Sequence, residues 1–366
     1  MKHGIVGRIK EGNFRYQGWP SVCRDENGVL YAVCSGHRLG HICPYGKNVM
    51  YISRNDGETW SCPIIVNDTA LDDRDAGIVP MGNGKLLLSW FDLPRSYFLN
   101  QESMWVRGKS YRWESMLTKA MLDQFRVLPE EEAQSGSFVK LSEDGGFTWS
   151  EAIRVPVTAP HGPAFLKNGK LIYVGKTMGE NYVNATGVLA VESADGGKSW
   201  EVIGELIYPE NVKVDWCHEP HVAELPDGTL LAATRVHDNG TDKGENFTVY
   251  LSRSKDGGKT WSVAEPTGWC GSPPHVFVHS SGAIVVTYAR RMDNFGTKGR
   301  VSLDGGKTWS EEVEVGPIGL EGDLGYPCTA ELSDGSMITV YYQRLPEDRV
   351  CSILYTKWEL SDAKFN

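Results

Sequence analysis

The chain has 366 residues, 40 % of them hydrophobic and 23 % charged, with a formal net charge of −10. That is enough apolar material for a large core, and the acidic balance argues against nucleic acid or an anionic membrane as partner, leaving any anionic ligand to a local cluster of arginines. Eight cysteines without CxxC spacing read as buried reduced thiols.

The opening MKHGIVGRIKEGNF has no apolar core of signal-peptide length, and no run approaches a membrane span, so the expectation is a cytoplasmic protein. From there on, one unit recurs: a short strand, a Gly-centred turn and a returning apolar strand. Its copies are NGVLYAV (27–33), NGKLLLSW (83–90), NGKLIYVG (168–175), DGTLLAAT (227–234), SGAIVVTY (281–288) and DGSMITVY (334–341). The turn glycines, Gly28, Gly84, Gly169, Gly228, Gly282 and Gly335, are evenly spaced except across the second interval. A second repeat follows most copies: SRNDGETW (53–60), SEDGGFTW (142–149), SADGGKSW (193–200), SKDGGKTW (254–261) and SLDGGKTW (302–309). In each such box the Asp accepts backbone N–H bonds, the glycines take φ > 0 and the Trp packs the turn onto the sheet. Six units of four strands predict an all-β, six-bladed β-propeller occupying residues 1–366 as a single domain. The last blade lacks a box and is expected to close the ring by pairing residues 352–358 with the N-terminus.

The stretched interval holds an insertion over residues 93–135 in the second blade. Residues 109–128 predict an amphipathic helix, with Tyr111, Met116 or Leu117, Met121 or Leu122, and Phe125 on one face. It follows a returning strand and should lie on the ligand face, as a roof, a subunit contact or packing on the rim.

A strand rises about 3.3 Å per residue, so residues at a fixed distance before each turn glycine share one face of the disc with those ending the returning strand. The first set contains Trp19, Asp75, Pro160, Glu219, Pro273 and Tyr326, with neighbours Arg74, His161, His218, His221 and His275. The second contains His37, Arg38, Phe91, Asp92, Lys176, Arg235, Arg290, Arg291, Gln343 and Arg344. Titratable and aromatic groups where six strands crowd together mark a polar site. His218-Glu219-Pro220-His221 is not a zinc-binding HExxH, because Pro220 argues against a helix; neither metal nor cofactor is expected.

The boxes resemble those of the sialidase superfamily, the BNR or Asp-box repeat propellers, over nearly the whole chain. In that family a Glu ahead of an ELPDG strand assists a Tyr nucleophile, and arginines grip the substrate carboxylate. Here Glu219 precedes Glu224-Leu225-Pro226-Asp227-Gly228, Arg235 ends the returning strand, Tyr326 opens the last blade, and Arg290 or Arg291 stands where another carboxylate-binding Arg belongs. The resemblance implies an exo-acting glycoside hydrolase on a small anionic sugar, with Tyr326 attacking and Glu219 taking its proton. Two positions depart. The family's Phe-Arg-Ile-Pro is Gln17-Gly18-Trp19-Pro20 here, so Arg15 or Arg38 would have to complete the clamp. The loop that should carry the acid/base Asp, residues 39–48, has His41 and no Asp, so His41 and Asp75 are the candidate acids. Arg74, His161, His218, His221, His275 and Trp19 are expected to line the substrate pocket. A uronate lyase using Tyr and His, and a carbohydrate-binding propeller without catalysis, remain the alternatives.

Overall fold

In four of the six sheets the innermost strand carries the same irregularity. Two of its residues face one on the returning strand between Gly18↔Ser35 and Ser21↔Val33, between Arg74↔Phe91 and Gly77↔Ser89, between His218↔Arg235 and His221↔Ala233, and between Gly325↔Tyr342 and Cys328↔Val340. The first residue of each bulge is left-handed: Trp19 (φ 53°), Asp75 (49°), Glu219 (51°) and Tyr326 (51°). Pro20, Pro220 and Pro327 follow three of them, where an inner strand has no neighbour on its axial side to miss the N–H. In the third blade His161, one residue past the equivalent Pro160, is also left-handed (φ 73°).

In this computed structural model, which describes residues 1–101, 115–177, 186–238 and 247–365, the sheets form six consecutive antiparallel blades. Blade 1 runs Tyr16–Arg24, Leu30–Arg38, Lys47–Ser53, Ile64–Asn67, and blade 2 runs Asp72–Gly82, Lys85–Leu93, Ser137–Ser142, Ile153–Val155. In blade 3, Leu171–Thr177, Val188–Ser193 and Glu201–Glu205 follow two short inner segments. Blade 4 is Cys217–Glu224, Leu230–Val236, Thr248–Ser254, Glu265–Cys270, and blade 5 is His275–Val278, Ile284–Arg290, Gly296–Ser302, Val313–Glu314. Blade 6 takes Gly325–Glu331, Met337–Arg344 and Cys351–Trp358 from the C-terminus and Lys2–Gly7 from the N-terminus, the last pair antiparallel. Both chain ends are thereby fastened in one sheet, as expected.

The core is divided among the blade interfaces. Leu30, Ala32, Ile338 and Val340 pack between blades 6 and 1; Ile172, Val174, Leu230 and Ala232 between 3 and 4; Leu231, Ala233, Ile284 and Val286 between 4 and 5. The boxes fasten each blade to the one before it. In blade 4, Asp256 accepts from the N–H groups of Lys259 and Thr260, Ser254 Oγ accepts from Gly258 N–H at 2.9 Å, and Trp261 Nε1 donates to Gly258 O. Gly258 (φ 95°) admits no side chain, since a Cβ there would lie 2.4 Å from Ile172 of blade 3. Asn55 in the first box accepts from Thr59 N–H as the aspartates do.

The insertion supplies helix α1 (Arg95–Leu99) and helix α2 (Ser115–Val127). The expected start of the helix, residues 109–114 with Tyr111, lies outside the described residues. Met121, Leu122 and Phe125 are buried with Phe98, Leu71 and Leu93, whereas Met116 is exposed. Tyr45 donates to Leu117 O at 2.8 Å, so α2 packs on the propeller and braces the loop after Arg38. No helix among the described residues is long and apolar enough to cross a membrane.

Replacing Ser254 by Ala leaves the buried Gly258 N–H unpaired, and we expect a loss of about 1–3 kcal/mol in urea unfolding, with no change at the opposite face of the disc.

Candidate active site

The four left-handed residues bring Trp19, Asp75, Glu219 and Tyr326 to one end of the axis. Tyr326 donates its phenolic hydrogen to Glu219 Oε1, and the other carboxylate oxygen takes Nη1 of Arg235 at 2.6 Å. Arg235 is partnered across the ladder with His218, Nη2 lies 3.1 Å from His237 Nδ1, and the guanidinium lies over Phe247. Burial opposes ionisation of Glu219, but the Arg235 charge and the Tyr326 hydroxyl outweigh it and hold the carboxyl at about 2. Burial, then the negative charges of Glu219 and Asp75, push Tyr326 far above the ordinary tyrosine range. The proton therefore rests on the phenol and the charge on the carboxylate.

Arg291 lies with its Cζ 5.9 Å from the Tyr326 ring centroid and its Nε donating to Gly322 O at 3.0 Å. Among the described residues no carboxylate lies within ion-pair distance of it, in contrast to its neighbour Arg290, which pairs with Glu312 at 3.0 Å and Asp293 at 3.8 Å. Of the two arginines named from sequence, Arg291 is the one facing the site, and Arg290 is engaged elsewhere.

Asp75 is 6 % exposed and, among the described residues, its Oδ1 has no hydrogen-bond partner. Burial, helped by the Glu219 charge and opposed by Arg74, pushes it up to about 7. Trp19 is stacked beneath two guanidiniums, Arg74 at 4.2 Å and Arg38 at 4.8 Å. Arg38 is fully buried in a two-pronged pair with Asp72, so the expectation that it contacts substrate does not hold: its charge is spent inside blades 1 and 2. Arg15 donates to Lys10 O. At Gly18 a Cβ would lie 3.2 Å from Tyr16 and 3.6 Å from Tyr342, so tyrosine rings fill the space beside the position where the resemblance would place an arginine.

His41 sits against the Trp19 ring edge, at 4.9 Å, with Nδ1 2.7 Å from Asp323 Oδ1. Tyr16 and Tyr342 donate to the same carboxylate. Asp323, Tyr16 and Tyr342 were not among the residues singled out for roles from sequence. Register holds the signal for one of them: Tyr342 faces Gly325 as Arg235 faces His218.

The remaining histidines separate into two places. His218 lies near the site, 3.4 Å from Lys176 Nζ, and burial with the Lys176 and Arg235 charges pushes it down to about 3. His161, His221 and His275 pack on one another deeper along the axis, with ring centroids 4.3–5.8 Å apart. They bond to Ser21, Val276 N–H and Thr329 N–H, and they line a cavity of about 880 Å³ together with strand residues approaching the hairpin turns on the opposite face. Burial keeps all three below the ordinary histidine range. They are neutral members of the axial packing, not anion-binding side chains of the site. Among the described residues no group of three or more His, Cys, Asp or Glu is arranged to hold a metal ion.

A bulged, six-bladed ring with a paired Tyr and Glu at its axis defines a sialidase-like propeller. The BNR repeat-like domain family matches residues 124–338, and the chain belongs to that family. No curated protein matches the chain at a significant level. A protein of unknown function from Dyadobacter fermentans superposes with a TM-score of 0.76 at 20 % identity, over 98 % of this chain and 97 % of that one. The K499G mutant of the NanB sialidase from Streptococcus pneumoniae gives 0.71 at 14 %, over 98 % and 71 %. The intramolecular trans-sialidase from Ruminococcus gnavus gives 0.67 at 15 %, over 97 % and 96 %. These likenesses establish the fold.

Asp75 yields a signed pH test. Its folded value near 7 exceeds the unfolded value of about 4, so the unfolded carboxyl ionises first and stability falls as pH rises from 4 to 7. Asp75→Asn should therefore gain stability over the wild type progressively across that window and level off above it. Thermal unfolding at several pH values checks this; a constant difference would mean that Asp75 is ionised throughout.

Proposed function

We propose that the protein is an exo-acting glycoside hydrolase that removes a terminal sialic acid or related acidic sugar, with Tyr326 as nucleophile and Glu219 as its base. The observation that carries this reading is the Tyr326–Glu219–Arg235 chain beside a guanidinium, Arg291, that has no carboxylate of its own among the described residues. A neutral phenol can approach an anomeric carbon flanked by a substrate carboxylate at lower electrostatic cost than a carboxylate nucleophile could. Arg291 and Arg235 supply planar donors for that carboxylate.

Arg235 has a second consequence. In the free protein it neutralises Glu219 and makes it a weak base. A bound carboxylate competes for the same guanidinium, which raises the basicity of Glu219 when substrate is present.

The test is turnover by the wild type and two variants on a panel of aryl α-sialosides and aryl uronides, read both for released phenol and for the ultraviolet absorbance of an unsaturated product. Tyr326→Phe should lose at least about a thousandfold in kcat on the sugar that is cleaved, since it removes the attacking atom. Arg291→Ala should raise KM about 10- to 100-fold, the scale of a lost charge-assisted hydrogen bond. An unsaturated product would point instead to the uronate lyase, and full activity in Tyr326→Phe would remove the nucleophile assignment.

A further inference from the structure

We infer that His41, held by Asp323, is the proton donor and acceptor for the leaving group, in place of a carboxylic acid. This rests on the covalent reading above.

The geometry is that of an oriented imidazole. Nδ1 lies 2.7 Å from Asp323 Oδ1, which makes it the protonated nitrogen of the neutral ring; Nε2 has no hydrogen-bond partner among the described residues. Asp323 is itself fixed, accepting from Tyr16 OH at 3.0 and 3.1 Å and from Tyr342 OH at 3.1 Å. The histidine backbone is anchored as well: Arg38 Nη2 and Arg74 Nη1 both reach His41 O, at 3.1 and 3.4 Å. The Trp19 ring centroid lies 4.9 Å from that of the imidazole and 6.4 Å from that of Tyr326, so both groups stand beside the same indole. Among the described residues His161 also lacks a partner at Nε2, but its Nδ1 meets the Ser21 hydroxyl, whereas the Nδ1 of His41 meets a carboxylate.

In the first half-reaction Tyr326 Oη bonds to the anomeric carbon as the glycosidic C–O bond breaks. The electron pair leaves on the aglycone oxygen, which takes the proton from Nε2 of the His41 imidazolium, and the phenol proton passes to Glu219. In the second half, water attacks the anomeric carbon and gives its proton to Nε2. The C–O bond to Tyr326 breaks, and the phenolate recovers the proton from Glu219. The sum is glycoside plus water to free sugar plus alcohol, with His41 and Glu219 restored. The charges facing His41 act in opposite directions: burial, Arg74 and Arg291 disfavour the imidazolium, whereas Asp323 favours it and Tyr16 lies against it. The imidazolium form required for the first half should thus be lost as pH rises, and earlier when Asp323 is neutral.

Two measurements test the assignment on the full chain. The first compares para-nitrophenyl sialoside, whose phenolate leaves without help, with sialyllactose, whose sugar alkoxide must be protonated. His41→Gln should lose at least about a hundredfold in kcat/KM, which reports the first half-reaction alone, on sialyllactose and less than about tenfold on the aryl substrate. Equal losses on both, no loss on either, or a leaving-group-selective loss in Asp75→Asn instead would each overturn the proposal. Turnover that survives Tyr326→Phe would remove the covalent reading itself, and this proposal with it. The second needs no substrate: ¹⁵N NMR of the imidazoles should find His41 protonated at Nδ1 in its neutral form, with a titration midpoint at least one unit lower in Asp323→Asn. A midpoint unmoved by Asp323→Asn would show that the carboxylate does not govern His41 and would overturn the dyad.

Discussion

Six strands converging on one axis leave no room for an ordinary pleat at the ligand end. The sheets relieve the crowding with a bulge at one register position, and four of the six put a non-glycine residue there in the left-handed region. Such a conformation is unfavourable for a side-chain-bearing residue, by about 1–3 kcal/mol where it must be imposed, and the closed ring imposes it. Its effect is to turn one side chain in each of those four blades out of the strand's alternation. Trp19, Asp75, Glu219 and Tyr326, separated by up to 307 positions (19 to 326), become neighbours because each occupies the same place in a repeated unit.

Electrostatics then differentiates these equivalent positions. Glu219 is half-buried and Asp75 buried, yet Glu219 is held at about 2 and Asp75 pushed to about 7. The difference is the partner. Arg235 binds Glu219 directly at 2.6 Å, whereas Arg74 lies over Trp19 and next to Asp72, and leaves Asp75 Oδ1 unpaired among the described residues. The two carboxyls are thereby driven apart, Glu219 toward the anion and Asp75 toward the neutral form. The arginines are divided likewise: Arg38 and Arg290 are committed to internal carboxylates, while Arg291 has none in reach among the described residues.

The departures from the sialidase pattern fall together on one side of the site. Gly18, Tyr16, Tyr342, Asp323 and His41 form a contiguous wall where an arginine and an acidic loop residue would be expected. Helix α2 belongs to the same arrangement: its apolar face packs beside Ile42 and Tyr45, and its Leu117 carbonyl receives the Tyr45 hydroxyl, so the inserted segment steadies the loop that carries His41.

The sequence by itself determined the ring. Repeated turn glycines and boxes are local signals, each decided by hydrogen bonds within about eight residues, and so they are legible without the fold; their number and spacing gave the blades, and counting back from the glycines reached Trp19, Asp75, Glu219 and Tyr326. Which side chains at those ends meet one another was decided only by the tertiary structure. Arg290 and Arg291 are adjacent in sequence, and only the pairing of blade 5 with Glu312 separates them. Arg38 reads as a pocket residue until Asp72 of the next blade is seen to bind both of its terminal nitrogens. His161, His221 and His275 count as rim residues on a straight strand, but they pack deeper along the axis. Asp323 acquires its partners from residues 16, 41 and 342. Contacts of that kind depend on ring closure and on packing between blades far apart in the chain, and no local pattern encodes them.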